Sequence, residues 1–156
     1  MKVILSIFLL LSSLFALPEE FDQEQYDRGE KVFNKKCNSC HEVFLDIKLL
    51  MKNFIYEDNK LLNLKAPTGN EISYRLKHQL GDITDIDSQL FETTEFVRDY
   101  IKYPDKEKSI CLPGILQHFD TMPSMKGKIS DAEIDDVTFF LYFLEGFEGV
   151  NNYGKK

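Results

Sequence analysis

Residues 37–41 read CNSCH, and they hold two of the three cysteines in the 156-residue sequence with a histidine directly after the second. A C-x-x-C pair followed by histidine is the attachment signature of covalently bound haem. One tight turn then has to deliver both sulfurs to one edge of the porphyrin while the imidazole points to its centre. The sequence therefore predicts that Cys37 and Cys40 form thioether links to one haem c, and that His41 ligates its iron through Nε2.

Two other interpretations of the motif remain open. A thioredoxin-like redox pair needs a βαβ context, and the sequence shows no strand-like alternation. A structural zinc site needs a second closely spaced ligand pair, whereas Cys111 is the only cysteine outside the motif. Cys111 itself is interpreted as a buried, inert thiol, with an intermolecular disulfide or a regulatory thiol as the alternatives.

The first 16 residues have the pattern of an export signal. Lys2 precedes an apolar run that ends on the small residue Ala16, as signal peptides do. Pro18 stops the run short of the about 20 apolar residues that span a bilayer. We predict a cleaved signal peptide over residues 1–16 and a periplasmic protein, with an uncleaved anchor as the alternative.

The rest of the chain is expected to form one acidic domain. No repeat or low-complexity linker divides it, so we predict a single domain over residues 17–146 and a flexible glycine-rich tail over residues 147–156. Residues 17–156 contain 18 Lys and Arg against 26 Asp and Glu, a formal charge of −8. This charge argues against nucleic acid as a partner.

Apolar residues recur at helical spacing along this domain, so the predicted fold class is all-α. One helix should run up to Cys37. Two capping boxes, Thr68 with Glu71 and Ser130 with Glu133, predict helix starts, and the second should open a helix over about residues 131–145. A further helix should end before Pro104. Residues 42–64 are predicted to form one broken helix or two short ones.

Three segments resemble class I cytochromes c: residues 29–33 with the CNSCH motif, residues 96–104 (FVRDYIKYP), and residues 121–145 (TMPSMKGKISDAEIDDVTFFLYFLE). The resemblance implies a cytochrome c-like helical fold wrapped around one covalently attached haem. It also implies that the first and last helices cross closely at Gly29, with Phe33 and Phe140 in contact.

The same resemblance suggests the second axial ligand of the iron. Met122, in Thr-Met-Pro before the last helix, stands where that family has its thioether ligand, and Met125 is the fallback. His118 is a further alternative. His78, Met51 and an iron without a second protein ligand also remain open, although His78 is interpreted as a surface or packing residue.

The sequence departs from the family in three places. The long interval between His41 and Met122 predicts that residues 42–64 or 82–92 form an elaboration over one haem edge. The proline whose carbonyl orients the proximal histidine in that family is not obvious, and Ala66-Pro67 is a weak candidate. Between the expected Pro113-Gly114 turn and Met122, residues 115–121 should add a turn of helix.

With both axial positions taken by the protein, the expected function is single-electron transfer rather than catalysis. The alternatives are a dedicated haem subunit of a larger periplasmic oxidoreductase, and an enzyme or gas sensor with an open iron. The expected partners are redox proteins, among them a periplasmic or membrane-bound oxidoreductase. Docking is predicted through a basic rim formed by four lysines: Lys35, Lys36, Lys126 and Lys128.

Overall fold

The computed structural model describes residues 21–144, and in this range the chain forms six α-helices and no β-strand. The all-α prediction is therefore confirmed. The helices are α1 (Gln23–Lys36), α2 (Ile47–Met51), α3 (Gly69–Gln79), α4 (Ile86–Lys102), α5 (Pro113–Leu116) and α6 (Asp131–Phe143). A π-helical turn, Lys52–Tyr56, continues α2, and a 3₁₀ turn, Lys106–Lys108, follows α4.

Two predictions for the chain ends lie outside the described residues: the export signal over residues 1–16 and the tail over residues 147–156. Among the helices of residues 21–144, none combines the length and the apolar character that a bilayer span requires.

Both predicted capping boxes are present. At the start of α6 the Ser130 hydroxyl accepts a hydrogen bond from the Glu133 amide at 3.2 Å, and the Glu133 carboxylate accepts one from the Ser130 amide at 2.9 Å. Thr68 and Glu71 make the same reciprocal pair at the start of α3. These bonds satisfy amide groups that a helix start leaves without partners.

Three predicted boundaries need correction. Helix α6 ends at Phe143 rather than near residue 145, because Leu144 takes an extended conformation with ψ 128°. Residues 82–92 are mostly the first half of α4, which begins after the N-cap Asp85. Pro113 and Gly114 lie in α5 rather than in a separate turn, so the short helix begins earlier than residue 115 and ends at Leu116.

The core lies where α1 crosses α6. A Cβ on Gly29 would clash with the carbonyl oxygen of Asp136 and would lie 2.6 Å from the Cβ of Phe140, so only glycine allows this approach. The rings of Phe33 and Phe140 follow at a centroid distance of 5.5 Å. The predicted crossing at Gly29 and the predicted aromatic contact are both confirmed. Leu76 of α3 and Val97 of α4 join the same apolar cluster.

Residues 42–64 form one short helix that widens into a π-helical turn, followed by an irregular loop. Asn53, in the π-helical turn, is fully buried and donates a hydrogen bond to the side-chain oxygen of Asn59 at 2.8 Å. The Asn59 side chain in turn bonds both backbone groups of Leu64, at 2.9 and 3.0 Å. Residues 53–64 are thus shaped by two buried amide side chains rather than by a long helix.

Candidate functional site

A cavity of about 510 Å³ lies among the core residues of α1, α3, α4 and α6, including Phe33, Leu76, Val97 and Val137. Its walls are mostly apolar. The interiors of small domains hold few voids larger than a water molecule, whereas pockets for small molecules and cofactors span about 300–1,000 Å³. The cavity therefore has the size and character of a ligand site.

The CNSCH motif lies at this cavity as a tight turn that continues directly from α1. The Cys37 amide bonds the Phe33 carbonyl at 2.8 Å, and the amides of Cys40 and His41 both bond the Cys37 carbonyl at 3.0 Å. Cys37, Cys40 and His41 all line the cavity. The two cysteines form no disulfide with each other, and burial raises the pKa of the Cys37 thiol to about 11 despite the nearby charge of Lys36.

The imidazole of His41 is oriented by a backbone carbonyl. Its Nδ1 atom lies 2.7 Å from the carbonyl oxygen of Pro67. A carbonyl only accepts, so Nδ1 carries the proton and Nε2 keeps its lone pair for a metal. Burial lowers the pKa of His41, an effect that the Pro67 hydrogen bond opposes, and the neutral ring is favoured. The weak candidate Ala66-Pro67 is therefore confirmed as the source of the orienting carbonyl.

Backbone pairing holds Pro67 beside His41. The amides of Gly69 and Asn70 bond the carbonyls of Glu42 and Val43 at 2.7 and 3.0 Å. A Cβ on Gly69 would lie 2.6 Å from the Val43 carbonyl oxygen, so the close approach requires glycine. Sequence reasoning missed Gly69, because its partner lies 26 positions earlier in the chain.

Three of the candidate distal ligands line the same cavity as His41: Met122, Met125 and His118. Met125 also packs against the core cluster, and its amide bonds the Ile101 carbonyl at 2.8 Å, which are the contacts of a core residue. His78 is exposed on α3 with its ring 4.3 Å from that of Tyr74. Met51 is 43% exposed and lines a different cavity.

That second cavity, of about 560 Å³, lies between α2 with its π-helical turn and α5. It was not predicted from the sequence. Pro67, Arg75 and Cys111 line both cavities and so form a shared wall. Cys111 is half-buried there, and burial raises the pKa of its thiol, while a hydrogen bond with Ser109 lowers it.

Residues 42–64 and 82–92 differ in their relation to the first cavity. Leu64 lines it, as do the following residues Lys65, Ala66 and Pro67, whereas none of residues 82–92 does. Of the two segments, only residues 42–64 reach this cavity, through Leu64. Lys65 was missed as a site residue, although its position next to the Ala66-Pro67 candidate was a usable signal.

The residues lining the first cavity fit a c-type haem. Two thiols three positions apart, an imidazole with Nε2 available and a methionine thioether share one apolar cavity, which is the donor chemistry that such a group uses. The zinc alternative needs at least three ligands gathered together. In residues 21–144 no group of three or more His, Cys, Asp or Glu side chains is placed to hold a metal ion.

Comparison with known proteins identifies a relative of this chain. No family model matches the chain, and no solved structure matches it. An uncharacterized protein of Aquifex aeolicus (strain VF5) is 30% identical over 137 residues, which cover 86% of this chain and 85% of that protein. The chain therefore belongs to the same family as that Aquifex protein.

Proposed function

We propose that this chain is a periplasmic monohaem cytochrome c of the class I type, which carries single electrons between redox partners. The hydrogen bond between His41 Nδ1 and Pro67 O carries the proposal, because it prepares the histidine of a C-x-x-C-H motif for axial ligation at an apolar cavity. The resemblance of the three sequence segments and the crossing of α1 and α6 at Gly29 support it.

In this proposal Cys37 and Cys40 would hold the porphyrin through thioethers, and His41 and Met122 would ligate its iron. Haem c would supply a one-electron Fe(II)/Fe(III) couple. The chain contributes orientation and the exclusion of water. Pro67 fixes the proximal ring, and apolar side chains such as Leu76 and Val97 keep the surroundings dry. A thioether ligand favours the reduced state and raises the potential.

The decisive experiment is expression with haem-maturation machinery, followed by intact mass and spectra in both redox states. A covalent mass increment of one haem and a low-spin spectrum are expected. The double variant Cys37→Ser/Cys40→Ser should lose the covalent mass increment, whereas Cys111→Ser should keep it. A colourless protein of unmodified mass from competent cells would overturn the proposal.

A dedicated haem subunit of a larger oxidoreductase is the second candidate, and the surface of residues 44–61 favours it. Phe44, Ile55 and Tyr56 are 54%, 62% and 78% exposed. These exposed apolar side chains all lie in the long segment after His41, where a partner subunit would cover them. Size-exclusion chromatography of native extract separates the two candidates, because a free carrier elutes near its monomer mass.

The third candidate is an enzyme or gas sensor whose iron has no second protein ligand. It would require that the reduced protein bind carbon monoxide.

The proposed docking surface is a revised form of the predicted basic rim. Lys36 does not belong to it: its amino group bonds Glu133 at 3.0 Å, and its side chain is only 17% exposed. Lys35, Lys126 and Lys128 are exposed, and Lys65 is both exposed and part of the cavity lining. We propose that these lysines meet an acidic patch on a redox protein, since transient electron-transfer contacts are small and steered by charge.

A further inference from the structure

We propose that His118 is a second axial ligand that competes with Met122 for the same iron, and this inference rests on the proposed haem site. His118 lines the cavity that also contains His41, Cys37, Cys40 and Met122. Its side chain is only 10% exposed. A histidine this deeply buried in the cavity wall would contact a cofactor bound there.

A carboxylate is the nearest charged group to the ring of His118. The Nδ1 atom lies 3.6 Å from a carboxylate oxygen of Asp58. Histidines that bind metals commonly direct their other ring nitrogen at a carboxylate or a carbonyl, which fixes the ring and raises its basicity. The Asp58 carboxylate is too distant for a direct hydrogen bond, but it lies nearest to Nδ1 of His118, so Nε2 is the nitrogen that would ligate the iron in this proposal.

One further contact packs against this imidazole. The ring of Phe54 lies 5.5 Å from that of His118, at an interplanar angle of 32°. Asp58 takes a left-handed conformation, with φ 52°, beside Asn59, whose side chain is tied to Asn53 and Leu64. The Asp58 side chain is itself 69% exposed, whereas its neighbour Asn59 is held by the buried amide network.

The two ligands should favour different oxidation states. Thioether ligation raises the reduction potential relative to bis-histidine ligation, so Met122 should predominate in Fe(II) and His118 should be most competitive in Fe(III). His118 and Met122 are separated by four positions in a segment that has no regular helix after Leu116. Exchange between them therefore requires movement of this segment and leaves the core helices in place.

The test compares variants of the haem-loaded protein by visible and EPR spectra and by carbon monoxide titration. Met122→Ala should lose the thioether band yet remain low-spin, with a lower potential than the wild type. The double variant Met122→Ala/His118→Ala should be high-spin. If His118 occupies the iron in about nine-tenths of the molecules, carbon monoxide should bind the single variant about tenfold more weakly than the double variant.

Matched controls separate the alternatives. Met122→Ala/His78→Ala should behave like Met122→Ala, because His78 is exposed and does not line the cavity. Met122→Leu keeps the side-chain volume and guards against misfolding of the alanine variant. If haem-loaded Met122→Ala and Met122→Leu are both high-spin and bind carbon monoxide as tightly as the double variant, the inference is overturned while the cytochrome proposal stands. Failure to attach haem in the wild type would overturn both.

Discussion

The carbonyl oxygen of Pro67 lies 2.7 Å from Nδ1 of His41, although 26 positions separate the two residues in the chain. The bond fixes both the tautomer and the direction of the imidazole before any ligand contributes. Pro67 reaches this position because the chain before it is shaped by the Asn53–Asn59 pair and the chain after it is paired to Val43. The orientation of His41 in the candidate site is therefore set by residues 42–64 and by their pairing with the start of α3.

We predict that Asn59→Ala destabilises the protein by about 2 kcal/mol or more. The substitution leaves the buried Asn53 amide and both backbone groups of Leu64 without their partner, and one unsatisfied buried group costs about 1–3 kcal/mol. Asn63→Ala is the matched control, because Asn63 also has a positive φ, 48° against 60°, but is exposed. Urea unfolding of both variants measures the difference. Equal losses would mean that backbone strain, not the amide network, explains the effect.

We predict that Met122→Ala abolishes the methionine-to-iron absorption band of the oxidised protein, whereas Met125→Ala retains it. The Met125 side chain packs against the core cluster but is only partly buried, so its truncation should lower the unfolding free energy instead, by about 2 kcal/mol. Visible spectroscopy and urea unfolding report the two effects separately. Survival of the band in Met122→Ala, with its loss in Met125→Ala, would reverse the assignment.

Local signals were enough to predict much of this fold. Helix α1 ends directly at the CNSCH motif, and both capping boxes lie within four residues of sequence, so each could be recognised without knowledge of the tertiary structure. The crossing at Gly29 was foreseen through the resemblance rather than from helix propensity, which disfavours glycine.

Features that depend on distant partners could not be predicted in this way. Gln89 is fully buried because its amide bonds the carbonyls of Lys77 and Leu80 and accepts a bond from the Tyr142 hydroxyl. A polar residue in a polar stretch gives no sign of this, so the first half of α4 was missed. The second cavity was missed for the same reason, since it forms only when α2 packs near α5.

We predict that Gly29→Ala lowers the unfolding free energy by about 2 kcal/mol or more. The new Cβ meets the Asp136 backbone, which cannot move without separating α1 from α6, and overpacking commonly costs about 1–3 kcal/mol. Gly114→Ala is the control, because nothing lies within 4 Å of a Cβ at that position. It should be neutral or stabilising by up to about 1 kcal/mol. A neutral Gly29→Ala in urea unfolding would contradict the close crossing.

We predict that Lys65→Gln slows electron exchange with an acidic redox protein about two- to fivefold at low salt, because one exposed charge pair contributes up to about 1 kcal/mol. Lys31→Gln, which removes an exposed lysine that does not line the cavity, should have a smaller effect. Stopped-flow rates over a range of ionic strength measure both. Rates that are independent of salt in the wild type would refute docking through charge.

We predict opposite pH dependences for the two capping-box glutamates. Hydrogen bonding from the Ser130 amide, followed by Lys36, lowers the pKa of Glu133 below 4.5, whereas burial raises that of Glu71 above 4.5 despite its bonds to Thr68. A lowered carboxyl pKa gives stability that is present above pH 4.5 and lost as the pH falls through the folded-state value. A raised carboxyl pKa gives stability that is present below pH 4.5 and is lost as the pH rises through the folded-state pKa.

Glutamine isolates these charges, because it can still complete a capping box. Glu133→Gln should therefore destabilise the protein at pH 7 and have less effect well below pH 4.5. Glu71→Gln should be the more favourable substitution at pH 7, where it removes a buried charge, and should lose that advantage in acid. Urea unfolding of both variants at the two pH values provides the measurement. The prediction is contradicted if both variants lose stability at pH 7 and recover it in acid. In that case the hydrogen bonds to Thr68 would outweigh the burial of Glu71, and the pKa of Glu71 would be lowered like that of Glu133.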